Sequence, residues 1–422
     1  MRNAEAPDAQ PESRHHAPAV LRLSHDFTLA WLAIATISVM VLISCDGDRP
    51  TEPRQRPLDP ALVAEGKEIF RFGTFGDEQF WTDTLRMHEV IQQAVTPAVA
   101  LSVGLKVDAD ALPQEVKTAL AAGRVDLNST ATTLALLRLN AVVGVKGDVQ
   151  IVNGRETLVR VGITCALCHS TVDNSFAEGI GRRQDGWANK TLNPGAIVAL
   201  SPALTSAQKA VYNSWGAGRY DPRFNMDGQN TPLVLPPAYG LLGVDKETFT
   251  AEGPVSYWNA YVAVTQMHGQ GNFSDPRLGV HIVQTPDLVT PKLAALREYQ
   301  LSLENPAPPP GSFDATAAQR GRAVFEGAGS CVSCHTGSLL TDVNSGRLHA
   351  PAETGMDPRY AARTTQKAYR TTPLRGLWQH APYFHDGSAA TLRDVVEHYN
   401  RVRGLALTEQ QKRDLVEYLK TL

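Results

Sequence analysis

The chain has 422 residues, a formal net charge of -3, 43% apolar residues, 27 prolines and 33 glycines. That length is enough for two ordinary domain cores, and the apolar fraction excludes wholesale disorder, leaving a loop-rich globular protein. No basic cluster tracks a phosphate backbone, so no nucleic-acid partner is expected.

In chain order, Arg2, Arg14 and Arg22 precede an apolar run at 29–43, LAWLAIATISVMVLI, and Asp46 and Asp48 follow it. This asymmetry holds the N-terminus in the cytoplasm and sends the rest outward. The run ends in Leu42-Ile43-Ser44-Cys45, which resembles the lipobox of bacterial lipoproteins. That resemblance implies an acylated Cys45, a lipid anchor in the membrane and a place on the periplasmic side of a bacterial membrane. An uncleaved anchor is the rival reading, although the run is short for a full span. Residues 1–45 are read as a signal and lipoprotein segment, and 46–58 as a linker.

The remainder reads as one plan used twice. AEGKEIF at 64–70 and QRGRAVF at 319–325 are similar short helices upstream of Cys165-Ala166-Leu167-Cys168-His169 and Cys331-Val332-Ser333-Cys334-His335. Each half also closes on a similar helix, with Tyr299 and Tyr418 at equivalent places. Thr290-Pro291 opens the first, Pro being favourable at the start of a helix. A capping box of Thr408 and Gln411 opens the second. Between the halves, ENPAPPPGS is a stiff, Pro-rich linker. The predicted organisation is a first domain at 59–303, a linker at 304–316 and a second domain at 317–422.

Only the first half carries a long insert, from about Gly73 to Thr164. It contains helical pattern (FWTDTLRMHEVIQQAV and TATTLALLRL) and then DVQIVNGRETLVRV. Asn153-Gly154 between two alternating runs predicts a β-hairpin. The hairpin leads straight into Cys165 and is expected to brace that site.

Three chemistries suit a C-x-x-C pair. A redox pair belongs at a helix start in a βαβ pattern, which this chain lacks. A Cys₄ zinc site would unite pairs from separate domains and leave both trailing histidines unexplained. Covalent haem uses all six residues, with His169 and His335 as proximal iron ligands. With Cys45 in the lipobox, all five cysteines then have a role. Two covalently bound haem c groups are therefore expected.

Each half resembles a cytochrome c domain, which makes the expected fold mainly α: two tandem cytochrome c-like haem domains, the first with the insert. Residues 369–400, YRTTPLRGLWQHAPYFHDGSAATLRDVVEHYN, closely resemble the C-terminal haem domain of the bacterial di-haem cytochrome c peroxidase superfamily. That superfamily includes the enzyme that matures methylamine dehydrogenase, with rubber oxygenases as more distant relatives. In the first half, NTPLVLPPAYGLLG at 230–243 and EGPVSYWNAYVAVTQMHGQG echo the same pattern. The family's peroxidatic loop, with its bridging Trp and catalytic Glu, is absent in its usual form, so no catalytic residue is assigned.

The resemblance implies an oxidoreductase that takes electrons from a small redox protein and passes them between haems to peroxide or another small oxidant. The alternative is a pure electron-transfer lipoprotein. A structural calcium is compatible with this family, with no residue assigned to it. In the helix opened by Thr391, Leu392, Val395, Val396 and Tyr399 share one face. The resemblance makes Tyr399 the distal ligand of the second iron, with His398 facing away. For the first iron, Met267 and His268 are alternative distal candidates, since adjacent helical residues point about 100° apart. Arg182 and Arg183 are candidate propionate partners, Trp187, Trp215 and Trp258 are expected to pack in the core, and His385 and Asp386 are expected to hold the loop over the second haem.

Overall fold

Asp59 caps the opening helix Pro60–Phe72, accepting from the backbone N–H groups of Ala61 and Leu62, with Pro60 at the first helical position. Asp314 does the same for Ala315–Glu326 through Ala317 N. The closing helices are Leu293–Ser302, entered through a 3₁₀ turn at Thr290–Lys292, and Glu409–Leu419, entered through the expected Thr408–Gln411 capping box. The computed structural model describes residues 57–422, which belong to one compact unit. The signal segment, Cys45 and most of the 46–58 linker lie outside the described residues.

Each opening helix crosses its closing helix at a glycine. A Cβ on Gly66 would overlap the Ala295 carbonyl oxygen and lie 2.7 Å from Tyr299 Cβ. A Cβ on Gly321 would overlap the Asp414 carbonyl oxygen and lie 2.9 Å from Tyr418 Cβ. Four residues on, and so on the same helical face, Phe70 meets Tyr299 edge-on at 5.4 Å and 63°, and Phe325 meets Tyr418 at 5.3 Å and 65°. The two crossings therefore share one geometry. Gly321→Ala is expected to cost about 3 kcal/mol, because backbone on both sides leaves the methyl no space. Chemical denaturation of the haem-loaded protein measures it.

Helix accounts for about 41% of the structure and strand for 12%, which makes it mainly α. The predicted helix over 80–95 is broken. Gln79–Thr84 forms a π-helical turn, Arg86 adopts a left-handed φ of 57°, and a separate helix runs Met87–Ala94. With Thr130–Arg138 and the hairpin, this insert builds its own core around Trp81, Leu137, Leu158 and Val161. The hairpin pairs Val145–Val152 with Arg155–Ile163, and Asn153 and Gly154 both take positive φ, as a tight two-residue turn requires. Thr164 then bonds back to Gly144, fixing where Cys165 begins.

Arg363 joins segments on either side of the Pro-rich stretch, meeting Asp221 at 2.9 Å and Asp227 at 2.7 Å. Arg223 pairs with Glu252 within the first half, and Tyr360 packs against both guanidiniums. Among the described residues, no helix is long and apolar enough to cross a membrane.

Candidate functional site

The two C-x-x-C-H segments fold as tight turns. His169 N bonds Cys165 O at 3.2 Å, and His335 N bonds Cys331 O at 2.9 Å. Each histidine is oriented from outside its turn: His169 Nδ1 donates to Pro236 O at 3.0 Å and His335 Nδ1 to Leu340 O at 2.9 Å. This selects one tautomer and leaves Nε2 of both imidazoles available as a ligand. Desolvation lowers the basicity of both, which keeps them neutral.

The thiols fit attachment better than thiolate chemistry. Burial pushes Cys165 and Cys168 up to about 12 and Cys331 up to about 11, the reverse of a reactive redox pair. All four are unpaired. Among the described residues they do not converge on one point; the single cluster with metal-ligand character joins Cys334, Asp342 and His349. In that cluster His349 is already held by Asp342 at 3.1 Å and Glu353 at 2.9 Å.

At the second motif, a cavity of ≈ 290 Å³ is lined by Cys331, Cys334, His335, Phe325, Leu377 and Tyr399, among others. Among the described residues the Tyr399 hydroxyl makes no hydrogen bond, while its carbonyl accepts from Arg403 N at 2.9 Å. Its pKa is pushed up to about 12, chiefly by burial and then by the neighbouring Cys334 and Cys331. His398 leaves the cavity and donates to Thr354 O at 2.8 Å. His385 lines the cavity and bonds Tyr369 at 3.0 Å, while Asp386 closes its own turn on Ser388 N. The residues present fit a covalently held haem: two thiols, a free imidazole Nε2, an apolar slot and an unpartnered hydroxyl.

Of the propionate candidates, Arg182 is exposed, and Arg183 is buried beside Asp108 at 3.0 Å with its Nε and Nη1 making no hydrogen bond among the described residues. Arg370 and Arg375 line the second cavity. Both stand in YRTTPLRGL, within the stretch that carries the family resemblance.

At the first motif, Cys165 packs on the core cluster of Phe70, Tyr299 and Met267. Met267 is buried there, whereas His268 is exposed and stacks flat on Phe80 at 3.7 Å. Met267 is thus the member of the pair in the core that Cys165 packs on. Cys168 packs on a different cluster together with Tyr220, whose hydroxyl donates to Gln266 Oε1 at 2.9 Å. Gln266 in turn donates to Asn225 at 3.1 Å. Nothing in the sequence pattern singled out this polar trio. Asp77, fully buried, accepts from Ile163 N and is pushed up to about 9 by burial.

Trp215 and Trp258 pack as expected, their indole N–H groups satisfied by Asn230 and by Glu247 O. Trp187 differs. It follows Gly186, whose N–H bonds His169 O at 2.8 Å, and its ring meets Trp378 edge-on at 5.7 Å.

The chain is similar to several known proteins. The family profile "RoxA-like, cytochrome c-like" matches residues 368–404. The methylamine utilization protein MauG of Methylorubrum extorquens is 30% identical over 288 residues, covering 62% of this chain and 72% of that protein. The cytochrome-c peroxidase IdrP1 of Denitromonas iodatirespirans is 30% identical over 149 residues, 25% of this chain; the match spans only 40% of that relative's length. A solved MauG-like protein associated with microbial copper homeostasis is 21% identical with a TM-score of 0.33, covering 46% of this chain and 74% of that one. The chain belongs to the di-haem cytochrome c superfamily that includes MauG, the bacterial cytochrome c peroxidases and a hydrazine synthase subunit. At family level it is a haem oxidoreductase carrying covalently bound haem c.

Proposed function

We propose that this chain is an exported di-haem oxidoreductase of cytochrome c peroxidase type, built from two tandem haem domains. Electrons would come from a small redox protein, and peroxide or another small oxidant would accept them. The observation that carries this reading is the Trp187–Trp378 contact, 5.7 Å between ring centroids, with Trp187 beside His169 and Trp378 beside Leu377 of the second cavity. Two attachment motifs joined through touching indoles suit transfer between haems.

Bound haem supplies one-electron redox chemistry and, where an axial position is open, a place for a small oxidant. His169 and His335 each present Nε2. Arg370 and Arg375 offer cationic partners for propionates at the second motif. Tyr399 would offer its hydroxyl to a haem held at the second motif, and a haem at the first motif would be the reactive one, with the Tyr220–Gln266–Asn225 trio as nearby hydrogen-bonding groups.

A ligand-accessible high-spin ferric signal in the oxidised protein, together with peroxide reduction by reduced cytochrome c, is the expected result. Two low-spin, ligand-closed irons without turnover would instead establish a carrier. The anchor is a separate part of the proposal and rests on the lipobox at Cys45. Metabolic lipid labelling is expected to mark the wild type and not Cys45→Ala, because the substitution removes the thiol that would be acylated. An unlabelled wild type would remove the anchor.

A further inference from the structure

One wall of the second cavity is charged. Glu247, Thr248, Arg370 and Arg375 all line it. Arg370 Nη1 donates to Glu247 Oε2 at 3.0 Å, each side chain being 8% exposed. Yet Glu247 Oε1, Thr248 Oγ1 and Arg370 Nε are buried with no hydrogen-bond partner among the described residues. An unmet buried polar atom costs about 1–3 kcal/mol. Three on one wall indicate a surface that meets a polar group.

We propose that Glu247 is the proton acceptor coupled to one-electron reduction of a haem held by Cys331, Cys334 and His335, while Arg370 and Arg375 meet that haem's propionates. The inference rests on the functional reading above. Two guanidiniums, one carboxylate, two propionates and the single positive charge of a ferric porphyrin core sum to zero at the site. An arriving electron makes it negative where water is excluded and the charge is costly.

Glu247 is suited to absorb it. Burial raises its pKa, while Arg370 and Arg375, the charged groups facing it, pull it back down. Its protonation therefore depends on the charge around it. Its backbone is pinned by Gly253 O and by the Trp258 indole, and its carboxylate is held by Arg370. Glu247 takes one proton from solvent as one electron arrives from the redox donor, and releases it when that electron leaves.

The test is a spectroelectrochemical titration of the haem-loaded protein at a series of pH values. In the wild type, the second-haem potential is expected to fall as pH rises, by up to about 59 mV per tenfold change in proton concentration. Glu247→Gln keeps the side-chain shape and a bond to Arg370, and is expected to flatten that slope. Arg370→Gln removes a positive neighbour, raises the proton affinity of Glu247 and moves the sloping region to higher pH. A Glu247→Gln protein with full haem content and the wild-type slope overturns the inference alone, as does a wild type without any slope. Mass spectrometry finding no haem on Cys331 and Cys334 overturns the functional reading and the inference together.

Discussion

Replacing Cys331 and Cys334 together by alanine is expected to leave one covalently bound haem per chain, against an expected two in the wild type. Thioether bonds survive unfolding, so the mass of the denatured protein reads the count directly. The second half should also lose its fold. Its cavity of ≈ 290 Å³, left empty at about 24 cal/mol per Å³, costs roughly 7 kcal/mol. A domain holds only about 5–15 kcal/mol in total. Cys331 moreover packs on the cluster of Phe325, Leu392 and Leu415 that forms the core of this half. A wild-type protein carrying zinc, or a single haem, would defeat the di-haem reading.

Tyr399→Phe is expected to change the oxidised spectrum of the second haem and to raise its potential by at least about 60 mV, the one-electron equivalent of a tenfold preference. A phenolate oxygen favours ferric over ferrous iron. The protein alone holds the phenol protonated, up to about 12, so the ferric iron must displace the proton. The substitution separates ligation from packing. Phenylalanine retains the edge contact with Phe384 at 5.9 Å. If the hydroxyl binds nothing, removing a buried unpartnered group is neutral or stabilising and leaves the spectrum alone. An unchanged spectrum and potential would rule Tyr399 out.

Much of the attachment chemistry was legible because it is local. Cys331 to His335 span five residues, and the i→i−4 bond from His335 N to Cys331 O closes the turn within them. Gly66 and Phe70, like Gly321 and Phe325, face one way because residues four apart on a helix must. Asn153-Gly154 forms its turn from its own backbone preferences. Tyr399 and His398 were separable because neighbours on one helix point apart.

Legibility ended where partners come from distant segments. The helical pattern over 80–95 is real, but Arg86 turns left-handed there and the pattern yields two short elements. Met267 and His268 were equivalent in sequence; only packing buried one and stacked the other on Phe80, nearly 190 residues earlier. Arg183 is buried beside Asp108, more than 70 residues earlier, a neighbour that its own segment did not announce. Glu247 reaches the second cavity from the first half, across more than 120 residues from Arg370. By itself, then, the sequence determined which atoms can bond covalently to haem and which local turns present them, since both depend on neighbours along the chain. Tertiary structure decided which charges and rings surround those atoms, because burial and pairing are properties of segments that meet only after folding.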